Sequence, residues 1–309
     1  MQQFSLCFGK VKKDCFKFIK SQETKADKFK HKEKMIKSFL IPLCFWISKK
    51  SIKKRPFFVG LAGGQGTGKT TISSLIKIIL TKYFKLKVFR ISIDEFYKTR
   101  KERINLSKRV HPMLLIRGVP GTHDINMMLN FFKKAKSKKF KRLKLPTFNK
   151  AIDDRFSKKH WYDLKVRPDV VIFEGWCVGA KSEKNNTLKK TINSMEKAKD
   201  QKQIWRKYVN QQLKLKYKNL YSQLNCLIYL RANNFSLLQK WRLKQERKLW
   251  IKSKIKSNLK IMSRGDVINF MQTYQRITQN MFRHMPKYAS IIFNLNTNHQ
   301  IKSALYKNK

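Results

Sequence analysis

The chain has 309 residues, 41% of them hydrophobic, which is enough for one large α/β domain and argues against a disordered protein. No apolar run approaches the length of a transmembrane helix. The net charge of +54 is compatible with three alternatives: nucleic-acid binding, attraction of anionic substrates, and compositional drift. Because the lysines are spread over almost the whole chain, drift is favoured, with nonspecific polyanion binding as its consequence.

Five cysteines occur without the spacing of a metal site or a redox pair: Cys7, Cys15, Cys44, Cys177 and Cys226. Their odd number, together with the absence of a signal-peptide pattern, predicts a reducing compartment. The lysine-rich N-terminus also carries acidic residues, which makes it a poor match to an organelle transit peptide. We therefore expect a cytoplasmic protein, or one in a compartment similar to the plastid stroma.

Residues 1–55 are basic and contain Gly9 as their one glycine. Apolar residues recur there at helical spacing, which predicts one or two helices in an N-terminal extension packed on a main domain at 56–309. In the main domain, apolar runs predict five buried strands: 57–62, 87–93, 169–173, 227–230 and 289–295.

Helical patterns lie between and beside these strands: 72–80, 124–136, 193–222, 235–250 and 263–284. Ser263 is a candidate N-cap of the last helix, with Asp266 placed to complete a capping box. Residues 96–123 resemble a loop, and 137–168 form a long basic segment. Alternation of strands and helices predicts an α/β fold with a mostly parallel, doubly wound sheet.

A glycine-rich string follows the first strand and fits the pattern G-x-x-x-x-G-K-[ST]: Gly63, Gly64, Gln65, Gly66, Thr67, Gly68, Lys69 and Thr70, followed by Thr71. Glycines let backbone N–H groups approach phosphate oxygens, and the helix N-terminus favours an anion. Lys69 can reach the β- and γ-phosphates, and the Thr70 hydroxyl can bind magnesium. The string predicts ATP-type nucleotide binding on a three-layer P-loop NTPase fold with helical additions.

Two acidic residues stand at predicted strand ends. Asp94 follows the second strand and Glu174 follows the third, where ligands of parallel α/β sheets bind. Asp94 could accept a proton from the acceptor hydroxyl, and Thr70, Asp94 and Glu174 are candidate magnesium ligands. The alternative for either acid is a surface carboxylate at a strand–loop junction. The chain lacks guanine-reading, transporter and helicase motifs, which disfavours those classes of P-loop protein.

The segment 111–124 is rich in turn-forming and polar residues, as loops that build binding sites often are. Within it, Arg117, His123 and Asp124 are candidates for binding a carboxylate and hydroxyl groups of an acceptor. Asp124 could equally cap the helix that follows. These alternatives stay open for Asp124 at this point.

Three further cations are candidates for binding anions. Lys150 and Arg155 lie in the segment 146–155, and an arginine can hold a carboxylate through two hydrogen bonds. Arg242 lies on the helix after the fourth strand, which forms a lid over the phosphates in small-molecule kinases. For Lys150 and Arg242, a solvated side chain on the surface is the alternative.

Together these segments resemble the D-glycerate 3-kinase family of plants and cyanobacteria, within the uridine-kinase-like and phosphoribulokinase-like P-loop kinases. The resemblance runs from about residue 36 to 295. Its most specific strings are R-G-V-P-G-T-H-D at 117–124 and E-G-W-C-V-G at 174–179, beside S-I-D-E-F-Y at 92–97. Glu95 stands where a second Asp is expected, and Lys244 replaces an expected Gln. The extension has no evident counterpart in the family.

The resemblance implies ATP- and magnesium-dependent phosphorylation of D-glycerate to 3-phosphoglycerate, as in photorespiratory glycerate salvage. It assigns Lys69 and Thr70 to ATP and magnesium, and Asp94 to the acceptor hydroxyl. It also supports four acceptor-binding residues: Arg117, His123, Lys150 and Arg155. Three alternatives remain: a kinase for another small acceptor such as uridine or pantothenate, a nucleic-acid-binding ATPase, and a binding protein without activity.

Overall fold

The computed structural model describes residues 2–25, 27–253 and 262–307. Its strands are β1 (Phe57–Gly63), β2 (Val88–Ser92), β3 (Leu143–Leu145), β4 (Phe148–Asn149), β5 (Asp154–Arg155), β6 (Tyr162–Leu164), β7 (Val170–Gly175), β8 (Cys226–Arg231), β9 (Ile291–Leu295) and β10 (Ile301–Tyr306). Six of them form the central sheet in the order β10, β9, β8, β1, β7, β2. β10 is antiparallel to β9, and the other neighbours are parallel. The predicted mostly parallel sheet is confirmed.

The helices, in chain order, are α1 (Gln2–Gln22), α2 (Lys32–Met35), α3 (Ile41–Lys53), α4 (Lys69–Lys82), α5 (Arg100–Arg109), α6 (Ile125–Lys136), α7 (Ser194–Lys199), α8 (Ile204–Gln212), α9 (Lys218–Tyr221), α10 (Phe235–Ser253) and α11 (Arg264–Tyr288). A π-helical turn, Ile36–Leu40, joins α2 to α3, and a second, Leu213–Tyr217, joins α8 to α9. The predicted Ser263–Asp266 capping box at the start of α11 is confirmed.

Both faces of the central sheet are covered, so all seven residues of β1 are buried. Phe58 and Ala62 face one core, which they share with α6 and α8. Val59 and Leu61 face the other core, shared with α1, α3 and α4. This arrangement gives the three layers that the sequence predicted. Within the described ranges, no helix is both long and apolar enough to cross a membrane.

The prediction of a loop at 96–123 was wrong in part, because α5 lies inside it. Thr99 and Glu102 form a capping box, in which each side chain accepts a hydrogen bond from the other residue's backbone N–H. The helix is mostly charged and lacks a clear apolar periodicity, which is why its pattern was missed. β10 was also not predicted, and the basic segment 137–168 contains two short antiparallel ribbons, β3 with β6 and β4 with β5.

The N-terminal extension packs on the helix that follows the glycine-rich string. Five buried residues of α1 enter the core that contains α4: Cys7, Phe8, Val11, Cys15 and Ile19. The segment after α1 also reaches α10, because Asp27 accepts from Lys244 at 2.8 Å and pairs with Lys248. The unexpected Lys244 therefore contacts the N-terminal extension. The proposed boundary near residue 55 stays a prediction.

Candidate active site

The glycine-rich string forms a loop between β1 and α4. Gly66 and Gly68 have φ angles of 78° and 82°, a region that glycine adopts without steric cost. The Lys69 ammonium donates to the carbonyl oxygens of Gly63, at 2.9 Å, and Gly64, at 3.0 Å. Burial lowers the pKa of Lys69, against the opposing effect of the Glu174 carboxylate. The loop therefore places a partly buried ammonium and the N-terminus of α4 side by side, as an anion site requires.

Glu174 lies beside this loop, in β7. Its carboxylate accepts from the Thr70 hydroxyl at 3.2 Å and pairs with Arg90 at 3.3 Å. The side chain is almost fully buried, and this burial raises its pKa against the opposing charges of Lys69 and Arg90. Glu174 is thus not the surface carboxylate of the alternative interpretation.

Asp94 lies just beyond the end of β2. Its Oδ2 accepts from the Lys150 ammonium at 2.9 Å, and its Oδ1 accepts from the Tyr97 hydroxyl at 3.0 Å. Burial alone would raise the pKa of Asp94, but the charge and hydrogen bond of Lys150 outweigh it and hold that pKa below its ordinary value. The charge of Asp94 also acts on Lys69, so the acid and the loop lysine belong to one site.

His123 is buried, and Tyr97 contacts both it and Asp94. Its imidazole stacks on the Tyr97 ring, with centroids 4.5 Å apart. Nδ1 lies 2.6 Å from the Tyr217 hydroxyl, which also accepts from the Gly121 N–H at 3.0 Å. If the hydroxyl donates its one proton to Nδ1, the imidazole proton is on Nε2, a buried atom with no partner among the described residues.

The remaining predicted acceptor cations are paired with carboxylates. Arg117 pairs with Asp153, which also accepts from the fully buried Arg103 at 3.0 Å. Arg155 lies 3.2 Å from Asp124. Asp124 in addition accepts from a backbone N–H in the first turn of α6, so it both caps the helix and holds an arginine. The sequence left helix capping and acceptor binding as alternatives for Asp124; the cap is confirmed, and acceptor binding stays a prediction.

α10 carries Arg242 next to the P-loop. A Cβ added to Gly66 would lie 2.9 Å from Trp241 and 3.2 Å from the Arg242 backbone nitrogen, so loop and helix are in close contact. The Arg242 guanidinium pairs with Glu246 and its side chain is mostly buried, so the solvated alternative for Arg242 does not hold. Trp241 stacks on His299, whose Nε2 contacts the Gly66 carbonyl.

Several residues of this site were not predicted from the sequence. Arg90, Tyr97 and Tyr217 contact the predicted residues, and His299 reaches the loop from the connection between β9 and β10. Tyr97 belongs to the string S-I-D-E-F-Y, three residues after Asp94, so its contact with Asp94 could have been predicted from the sequence. Tyr217 and His299 are distant in sequence from every motif, and only the fold brings them near.

Gly118→Ala is expected to destabilise the protein by about 1–3 kcal/mol or more. Gly118 has a φ of 138°, and an added Cβ would collide with the Tyr274 hydroxyl. Gly9→Ala is the matched control, because a Cβ there meets nothing within 4 Å on the exposed face of α1. The control should be neutral or stabilising by about 0.5–1 kcal/mol. Urea unfolding measures both; equal free energies of unfolding for the two variants would contradict the prediction.

Two buried histidines should make the protein less stable in mild acid. Burial lowers the pKa of both His123 and His299 to about 4, from an ordinary value of 6.5. Below pH 6.5 the unfolded chain takes up protons that the folded chain excludes, so this stability is present above pH 6.5 and is lost as the pH falls. Between pH 7 and pH 5 each histidine should cost about 2 kcal/mol.

Urea unfolding at the two pH values tests this expectation, with His299→Asn and His123→Asn as variants. Each variant should show a smaller loss of unfolding free energy between pH 7 and pH 5 than the unchanged protein. A pH dependence that neither substitution reduces would contradict the assignment.

The oxygen ligands beside the loop suit magnesium bound together with phosphates. Among the residues that the structure describes, no group of three or more His, Cys, Asp or Glu side chains could hold a metal ion. Magnesium, however, is usually held by one or two carboxylates, substrate phosphates and water. The Thr70 hydroxyl beside Glu174, with Asp94 close by, supplies that donor set.

The fold and this site together define a P-loop kinase. The nucleotide loop lies at the carboxyl end of a central parallel strand, and two acids lie at the ends of neighbouring strands. A second group of polar side chains, including His123 and Lys150, lies around Asp94. This geometry is that of a phosphotransferase.

Comparison with known proteins gives the family. No protein-family profile matches the chain. The chain is 30% identical over 230 residues to the uncharacterized kinase mug58 of Schizosaccharomyces pombe, covering 71% of this chain and 79% of that kinase. It is 27% identical over 200 residues to the chloroplastic D-glycerate 3-kinase of Arabidopsis thaliana, covering 62% of this chain and 41% of that enzyme.

Among solved structures, the chain is similar to D-glycerate 3-kinase from Cryptococcus neoformans, with a TM-score of 0.74 and 22% identity. This similarity covers 88% of the chain and 99% of the solved structure, and it shows a shared fold. The chain therefore belongs to the family of P-loop kinases that includes mug58 and the D-glycerate 3-kinases. The resemblance read from its motifs is confirmed.

Proposed function

We propose that this kinase transfers the γ-phosphoryl group of ATP to D-glycerate, giving 3-phosphoglycerate. The observation that carries the proposal is the setting of Asp94, a partly buried carboxylate that pairs with Lys150 and whose charge acts on the P-loop lysine and on His123. An acceptor with both a carboxylate and hydroxyl groups matches the cations and the N–H donor around it. The relatives named D-glycerate 3-kinase support the same acceptor.

The proposed reaction is an in-line displacement. The acceptor hydroxyl oxygen bonds to the γ-phosphorus as the bond to the β-phosphate oxygen breaks, and ADP leaves. Asp94 orients the hydroxyl and takes its proton, which then passes to solvent. Lys69 and Arg242 stabilise the negative charge on the transferring oxygens. When bound, magnesium would neutralise the β- and γ-phosphates, held by Thr70 and Glu174, which leaves Asp94 for the acceptor hydroxyl.

The acceptor is held by groups already in place around Asp94. The carboxylate would bind Arg117 and Lys150, whose side chains are 29% and 60% exposed, while Arg155 keeps Asp124 fixed below them. The Nε2–H of His123 would donate to a hydroxyl of the acceptor. These contacts determine which hydroxyl of the acceptor faces the γ-phosphorus. They would accelerate the reaction by positioning the acceptor.

ADP release by the purified protein tests the proposal, with ATP and magnesium and with or without D-glycerate. Turnover should depend on D-glycerate and should exceed turnover with uridine, pantothenate or glycerol. A preference for uridine or pantothenate would overturn the acceptor but retain the kinase. Stimulation by RNA or DNA alone, steeply weakened by salt, would instead favour the nucleic-acid ATPase.

A further inference from the structure

Lys150 occupies an unusual position in the acceptor site. It lies in the turn of the β4–β5 hairpin, which passes beside Asp94, and its ammonium contacts the carboxylate at 2.9 Å. Glu95 supports the hairpin from below, because its carboxylate accepts from the Phe148 N–H at 2.8 Å. The proposed base is thus paired with a cation.

The other acceptor cations have partners of their own. Arg117 pairs with Asp153, and Arg155, only 9% exposed, pairs with Asp124. Neither of these carboxylates stands at the end of a central strand beside the P-loop. Of these three cations, therefore, Lys150 alone neutralises the group proposed to take the proton.

The pair between Lys150 and Asp94 is suited to exchange. The Lys150 side chain is 60% exposed and that of Asp94 is 27% exposed, and ion pairs in contact with water are weak. A carboxylate arriving from solvent can replace Asp94 as the partner of the ammonium at little cost. Tyr97, in contrast, is buried and keeps its hydrogen bond to the other oxygen of Asp94, so the carboxylate stays oriented.

We propose that Lys150 makes the acceptor's carboxylate a condition for catalysis: it blocks Asp94 until that carboxylate draws the ammonium away. The inference rests on the proposed role of Asp94 as the base. While the pair is intact, the ammonium occupies Oδ2 of Asp94 and the Tyr97 hydroxyl occupies Oδ1, so the carboxylate is not open to a hydroxyl group or to water, and ATP is not hydrolysed. Once Lys150 turns to the acceptor, Oδ2 of Asp94 becomes open to the acceptor hydroxyl, while Tyr97 still holds Oδ1.

The same exchange determines the class of acceptor. A hydroxy acid brings the anion that releases Asp94, whereas a neutral polyol such as glycerol offers the hydroxyl but leaves the pair closed. Lys150 is in this sense a specificity-determining residue, acting against both water and uncharged alcohols. Hydroxy acids are preferred over neutral alcohols because Lys150 must leave Asp94 for a carboxylate of the acceptor. The attraction between the Lys150 ammonium and that carboxylate adds to this preference.

Lys150→Met tests the proposal, because methionine keeps the aliphatic stem and removes the charge. ATP hydrolysis without any acceptor should rise several-fold, and the ratio of kcat/KM for D-glycerate to that for glycerol should fall about 10- to 100-fold. Lys150→Gln should change both quantities in the same direction. The control is Lys159→Met, which removes an exposed lysine from the same basic segment and should leave both unchanged.

An unchanged or lower acceptor-free hydrolysis in both Lys150 variants would overturn the proposal, and so would an unchanged acceptor ratio. The hydrolysis measurement needs only ATP and magnesium, so it tests the block whichever acceptor is the natural one. Failure of the proposed function would show differently, as absent D-glycerate turnover in the unchanged protein.

Discussion

Lys69→Met is expected to lower kcat about 100- to 1000-fold, the effect of removing one preorganised donor from a transition state. The ammonium is partly buried beside the phosphate loop, and the charges of both strand-end acids act on it, so it is held in place to meet the transferring phosphoryl group. Methionine has a similar length and no charge, so it fills the same space. The Gly63 and Gly64 carbonyls lose a donor, which should cost only about 1 kcal/mol of stability.

Steady-state ADP release measures this loss, and urea unfolding verifies that the variant is folded. Lys77→Met is the matched control, since Lys77 lies on the outer face of the same helix. It should retain activity close to that of the unchanged protein. Equal losses in the two variants would mean that the effect comes from the charge of the helix and not from the position of Lys69.

Asp94→Asn is expected to lower kcat about 100- to 10,000-fold while leaving the affinity for ATP nearly unchanged. The amide keeps the shape of the side chain and can still contact Tyr97, but it cannot take the acceptor proton. Asp94 lies beyond the end of β2 and outside the phosphate loop. The affinity for ATP should therefore depend little on the charge of Asp94.

The affinity for ATP is measured by titrating the protein with the nucleotide, and kcat is measured at saturating acceptor. The two measurements separate an effect on binding from an effect on catalysis. Asp163→Asn serves as the control, because it makes the same chemical change at a carboxylate that pairs with Arg142 far from the P-loop in sequence. Loss of ATP binding with retained kcat in Asp94→Asn would indicate a role in holding magnesium and not in proton transfer.

Local patterns were sufficient for the nucleotide half of the molecule. The P-loop, its flanking strand and helix, and the capping box at Ser263 each depend on residues close together in the chain. The strand-end positions of Asp94 and Glu174 followed from one topological rule about parallel sheets. α5 was missed because its surface is mostly charged, and the short ribbons because strands of two or three residues have no readable period.

The acceptor half depends on contacts that no local pattern encodes. Asp153 was visible beside Arg155, yet its pairing with Arg117 and Arg103 comes from the fold of the β4–β5 hairpin. Tyr217 lies 94 residues after His123 and fixes its orientation across the core. Lys244 was noted only as a departure from the family, and its partner Asp27 lies more than 200 residues earlier, in the N-terminal extension.

The most direct test of the account is the identity of the phosphorylated product. The purified protein is incubated with ATP, magnesium and an equimolar mixture of D-glycerate, pantothenate, uridine and glycerol, and the products are resolved by phosphorus NMR. The account predicts 3-phosphoglycerate as the dominant product, lost in Asp94→Asn. Dominant phosphorylation of another acceptor, or release of inorganic phosphate alone, would contradict it.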